Sequence, residues 1–320
     1  MGSLHVVKVL GALAGTLAVA ALASKRDTRK PIASIVSMPH GEARSVVSAH
    51  IDAARALSSS AGLLALSVLT DSAMEHYRGA FNNPAMFTPL ASSLLAMLAG
   101  VHGGQDKTPS QHAVRHAIYL FAAAAGLSGT AFHVYNVTKR PGGISWDNLF
   151  HAAPVGAPMA MLLTGALGAL AERLRDEPAI EPRLFGLPAG KALGLFVAAG
   201  LFGTMGEAAL LHFRGAFQHK AMYAPVLIPP VAASVLIGAS LSATSAITPL
   251  GPLARIWMRV TALLGIAGSC FHVRGVARRQ GGWRNWSQNV FSGPPVPAPP
   301  AFSALALAGL AALRLRETEQ

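Results

Sequence analysis

Glu75-His76-Tyr77-Arg78-Gly79-Ala80-Phe81 recurs as Leu211-His212-Phe213-Arg214-Gly215-Ala216-Phe217, an offset of 136 residues. The next block keeps that offset, with Ala85-Met86-Phe87-Thr88-Pro89 answered by Ala221-Met222-Tyr223-Ala224-Pro225. Further on, Gly129-Thr130-Ala131-Phe132-His133-Val134 matches Gly268-Ser269-Cys270-Phe271-His272-Val273, and Lys139-Arg140-Pro141-Gly142-Gly143 matches Arg278-Arg279-Gln280-Gly281-Gly282. Trp146, Asn148, Phe150, Pro154 and Pro158 then find counterparts in Trp286, Asn289, Phe291, Pro295 and Pro299. Both copies close on Arg-Leu-Arg, at 173–175 and 314–316. Matches in one order over so long a stretch point to a tandem duplication.

What kind of unit is repeated follows from composition. Of the 320 residues, 52% are hydrophobic and only 12% charged, against a soluble norm of about 25% charged. Apolar runs such as 152–171, 192–211 and 221–248 approach or exceed the roughly 20 residues that span hydrocarbon. The formal charge of +12 sits in short basic groups between those runs. There it reads as topology signal and headgroup contact, not as a nucleic-acid surface. The single cysteine, Cys270, excludes an intrachain disulfide, a covalent CxxCH haem attachment and a cysteine-ligated iron–sulfur cluster, and no disulfide-linked partner is expected.

The fold expected is therefore an all-α integral membrane protein in a lipid bilayer, placed in the bacterial inner membrane. Two four-helix repeats, 50–176 and 188–316, follow a signal peptide or signal anchor within 1–30. Helices are expected at 55–78, 84–102, 113–136 and 150–173, and again at 190–214, 221–246, 253–276 and 293–313. Four spans return the chain to its starting side, so the copies share one orientation about an axis along the membrane normal. Which side is cytoplasmic depends on whether the basic run Lys25, Arg26, Arg29 and Lys30 is retained.

First and third helices run the same way. His76, His133, His212 and His272, each near the end of such a helix, therefore share one face of the membrane. Ionisable groups within spans are costly and mark functional candidates. Two imidazoles from different helices at one depth suit bis-histidine b-type haem, one per repeat. Arg78, Arg214, Lys139, Arg140, Arg278 and Arg279 are candidates for the propionates, Tyr77, Phe132, Phe213 and Phe271 for the ring faces. Gly79, Gly129, Gly215 and Gly268 would open space for the ring. Asp71 and Glu207, each five residues before its histidine, fit a role behind the ligands better than direct coordination, because that spacing does not share a helix face.

These histidines also allow a non-haem metal or proton site, or plain interfacial hydrogen bonding carried through the duplication. The leading expectation is an electron-transfer subunit exchanging electrons between a partner dehydrogenase and quinone. The alternatives are a solute or ion transporter with its pathway between the repeats, and a cofactor-free scaffold. On the opposite face His102, His112 and His116 gather beside Lys107 and Arg115, where a solvated loop is expected. No arrangement of serine, threonine or cysteine resembles an activated nucleophile.

Overall fold

The computed structural model describes residues 40–176, 182–242 and 250–319. The expected signal segment at 1–30 and residues 243–246 of the sixth expected helix lie outside them. In the first half the order is α1 (His40–Arg78), a 3-10 turn at Pro84–Phe87, α2 (Thr88–Gln105), α3 (Ala113–Thr138), a short α4 (Trp146–His151) and α5 (Gly156–Arg175). A two-stranded hairpin, β1 (Arg183–Leu184) and β2 (Leu187–Pro188), leads to the second half. There follow α6 (Ala189–Arg214), a 3-10 turn at Lys220–Tyr223, α7 (Ala224–Leu241), α8 (Leu250–Ala277), a 3-10 turn at Gly282–Asn285, α9 (Trp286–Ser292) and α10 (Pro300–Thr318).

The described chain is almost entirely helical. Six stretches are long and apolar enough to cross a membrane: Ser48–Arg78, Pro84–Gln105, Ala113–Thr138, Ala189–Arg214, Lys220–Leu241 and Leu250–Ala277. The remaining long helices, α5 and α10, have 20 and 19 residues and carry Glu172, Arg173 and Arg175 or Arg314, Arg316 and Glu317 near their ends. Both are heavily buried against their neighbours.

Three helices start well away from the expected positions. The first starts at His40, not at residue 55. The fourth helices of the two halves start at Gly156 and Pro300, not at 150 and 293, each after a separate short helix, α4 or α9, because Pro154 and the run Pro294, Pro295, Pro297 and Pro299 lack the amide a helix needs and force the preceding residue out of helical backbone. By contrast α7 runs on through Pro229 and Pro230.

Within each half the helices form a closed ring. α1 packs on α2, α2 on α3, α3 on α5, and α5 back on α1; in the second half α6, α7, α8 and α10 repeat the circuit. First and third helices are thus diagonal partners, and among the described residues neither α1 with α3 nor α6 with α8 makes a packed pair. Adjacent helices approach closely through small residues. At Gly126 an added Cβ would strike the backbone of Leu162, and at Gly165 it would strike Ala123 and Tyr119, the means by which helices in lipid gain contact without a hydrophobic driving force. The halves join where α10 lies against α1, with Ser67 donating to the Pro297 carbonyl at 2.5 Å.

Candidate functional site

The first helix of each half, which carries His76 or His212, ends in a strained turn. Ala80 and Phe81 have φ of 54° and 46°, and Ala216 and Phe217 have 55° and 45°. Left-handed backbone costs a non-glycine residue roughly 1–2 kcal/mol, so the surroundings must hold it. Two contacts do so: the Phe81 amide donates to the His76 carbonyl at 3.0 Å, and its ring stacks on Phe87 at 4.5 Å. Phe217 repeats both contacts, to His212 at 3.1 Å and to Tyr223 at 4.6 Å. The chain then re-enters through a 3-10 turn capped by a side chain, Asn83 onto the Ala85 amide at 3.0 Å and His219 onto the Ala221 amide at 3.1 Å. His219 and Asn83, an unmatched pair by charge, therefore perform one task.

That re-entry delivers a carbonyl to the histidine. Nδ1 of His76 donates to the Met86 carbonyl at 2.6 Å, and the Met222 carbonyl lies beside His212. The third-helix histidines are anchored by the proline breaks: Nδ1 of His133 donates to the Pro154 carbonyl at 2.6 Å, and Nδ1 of His272 to the Pro295 carbonyl at 2.7 Å. A carbonyl can only accept, so in these three rings Nδ1 carries the proton and Nε2 presents its lone pair. Metal-binding histidines are fixed in this way, with the other ring nitrogen donating to a carbonyl or carboxylate.

The diagonal arrangement brings the rings together in pairs. His212 and His272 have ring centres 6.5 Å apart at 79°. His76 and His133 are near enough for the charge of one to act on the other. Two imidazoles on opposite sides of one metal, each at a bond length of about 2 Å, place their ring centres roughly 6 Å apart. All four rings are half-buried. Among the described residues no group of three or more histidine, cysteine or carboxylate side chains is placed to hold a metal ion, so each site offers a pair of imidazoles and no carboxylate.

The other expected site residues go to several places. Arg140 donates to the His151 carbonyl at 3.2 Å and Arg279 to the Ser292 carbonyl at 2.6 Å, closing α4 and α9 in the same manner. Arg214 donates to the Leu149 carbonyl at 2.8 Å, whereas Arg78 turns to Glu75 at 2.6 Å. Lys139 lies 4.6 Å from the Tyr135 ring centre, and Arg278 is exposed. Tyr77 stacks on Phe291 at 4.8 Å, and Phe213 packs edge-on against Phe150 at 6.0 Å. Phe132 is half-buried, and Phe271 lies 6.1 Å from His219. The room at Gly79 and Gly215 is taken by the methyls of Met86 and Met222, that at Gly129 and Gly268 by Pro158 and Pro299. Asp71 and Glu207 lie at the seam between the halves, close enough to repel one another. Glu207 reaches the start of α5 over Gly156, where any side chain would collide with its carboxyl group.

At the far end of the first half, His102, Lys107 and His112 are exposed, as the expected solvated loop has them, but Arg115 beside them enters a buried ion network. Arg115, 2% exposed, grips Glu172, 0% exposed, with Nε–Oε1 at 2.8 Å and Nη2–Oε2 at 3.2 Å, and meets Asp106 at 2.7 Å. Arg175 donates to the carbonyls of Gly103 at 2.5 Å and Asp106 at 2.8 Å. Desolvation opposes the charge of Asp106, but hydrogen bonds from Thr108 and Arg115 outweigh it and hold the carboxyl below the usual carboxylate range. His112 caps α3 and His102 accepts from Arg115 at 3.3 Å, which explains this cluster without a ligand. A signal was present in the sequence: Ala254 and Leu313 stand where the second copy would carry Arg115 and Glu172, so the two charges are absent together.

Compared with known proteins, the chain matches no family model, no curated protein and no solved structure.

Proposed function

We propose that this chain is a membrane electron-transfer subunit, built as a same-orientation duplication of a four-helix unit with eight spans in all. In each unit the histidines of the first and third helices hold b-type haem, and the chain relays electrons between a partner dehydrogenase and quinone at one membrane face. The observation that carries this reading is the pairing of His212 with His272 at 6.5 Å, with Nδ1 of His272 already committed to a carbonyl.

Haem bound there would supply a one-electron couple. The chain's own residues account for the rest. The carbonyls of Met86, Pro154 and Pro295 fix tautomer and ring orientation, which makes Nε2 a better donor to a metal. First and third helices form no packed pair among the described residues, so the histidines meet across the bundle and not along a helix contact. Lys139 and Arg278 are among the exposed cations at that end suited to carboxylate groups. Exposed Trp146, Trp283 and Trp286 at the same end suit the headgroup level.

His133→Ala and His272→Ala test the assignment. Each should remove about half the haem from protein purified in mild detergent and leave the other site filled. Unchanged haem in both variants would contradict it. The seam between the halves, with Asp71 in electrostatic reach of Glu207, favours one other reading, an ion or proton pathway between the repeats; it predicts flux into proteoliposomes that Asp71→Asn abolishes.

A further inference from the structure

The ends of α1 and α6 each reach across the seam to the short helix of the other half, but they do so differently. Arg214, at the end of α6, lies 5.7 Å from the Phe150 ring centre and donates to the carbonyls of Leu149 and Ala152. It thus fills the angle between α6 and α4. Arg78, its counterpart on α1, is drawn back to Glu75 on its own helix at 2.6 Å. The second copy has Leu211 where Glu75 stands and so has no carboxylate to draw Arg214 back. On the Arg78 side the space stays open, as a groove of about 420 Å³ lined by Tyr77, Arg78, Ser287, Gln288, Phe291 and Ser292.

We infer that this groove binds the head of a quinone, a neutral planar ring with carbonyl oxygens on its edge. Tyr77 and Phe291, stacked at 4.8 Å and with Tyr77 61% exposed, offer flat aromatic faces. Arg78, Gln288 and Ser287 supply N–H and O–H donors around them. The charge of Arg78 is balanced by Glu75, so the groove suits a neutral acceptor better than a phosphate. Tyr77 adjoins His76 in the chain, which brings such a ring beside the first histidine pair. The inference rests on the electron-transfer reading for its choice of ligand, but binding does not require haem.

The test is binding of a decyl-substituted benzoquinone to the full chain in detergent, followed by quenching of tryptophan fluorescence, since Trp286 directly precedes Ser287. Saturable quenching is expected in the parent protein. Glu75→Leu should release Arg78 to close the groove and weaken binding roughly tenfold or more. Tyr77→Ala and Gln288→Ala, at exposed positions, should weaken it without altering the fold, and Leu211→Glu should add a second binding event. Equal binding by the parent and all three weakening variants, or displacement of the quinone by inorganic phosphate, would overturn the inference. Haem content measured on the same samples separates a failed groove from a failed haem assignment.

Discussion

The imidazoles of His212 and His272 stand 6.5 Å apart at 79° to one another, on helices that form no packed pair among the described residues. Two side chains brought together while their helices stay apart need something to set their positions. For His272 the Pro295 carbonyl does so, whereas Nδ1 of His212 is buried without a hydrogen-bond partner among the described residues. The strained turn at Ala216 and Phe217 and the proline break after α9 are thus parts of the site.

Close helix contact makes small residues irreplaceable at particular points. Gly126→Ala would drive a methyl into the backbone of Leu162, forcing α3 away from α5, and should cost about 1–3 kcal/mol. At Gly203 an added Cβ meets nothing within 4 Å, so Gly203→Ala should be neutral. Thermal unfolding of both variants in the same detergent checks the contrast.

The buried network around Arg115 should behave as a unit. Arg115→Leu leaves the carboxylate of Glu172 enclosed without its bidentate partner and should destabilise by about 3–5 kcal/mol, which adding Glu172→Leu should largely restore. Asp106, held below its ordinary value, contributes stability in full above the unfolded carboxylate pKa of about 3.9 and loses it as the pH falls below that value. Unfolding profiles in acid should therefore steepen below pH ~4 and flatten in Asp106→Asn.

The proposed eight-span, same-orientation duplication makes a prediction about sidedness. With Cys270 replaced by serine, single cysteines at Gly143 and Arg284 should react with a membrane-impermeant maleimide from one side of a sealed vesicle. Cysteines at Lys107 and Phe185 should react from the other. Labelling of Gly143 and Arg284 positions from opposite sides would contradict the topology.

Much of this was legible in the sequence. The order of matched blocks fixed which residues correspond, and the parity of helices put all four histidines at one end. Helix adjacency was not legible, because nothing in a periodic apolar stretch tells whether it faces a neighbour or a diagonal partner. Nor were the carbonyl anchors, since a main-chain oxygen has no letter in the sequence; only Pro154 and Pro295, which free it, do. The Arg115 network was hidden for a different reason. Arg115 stands among exposed histidines and reads as solvent-facing with them until Glu172, 57 residues away, is seen enclosed against it.

Bound haem would show in the dithionite-reduced minus oxidised visible spectrum of the protein, purified in mild detergent after expression with ample haem. A sharp α-band of b-type haem is expected, diminished by about half in His272→Ala. A featureless spectrum from folded protein carrying all four histidines would contradict the haem assignment.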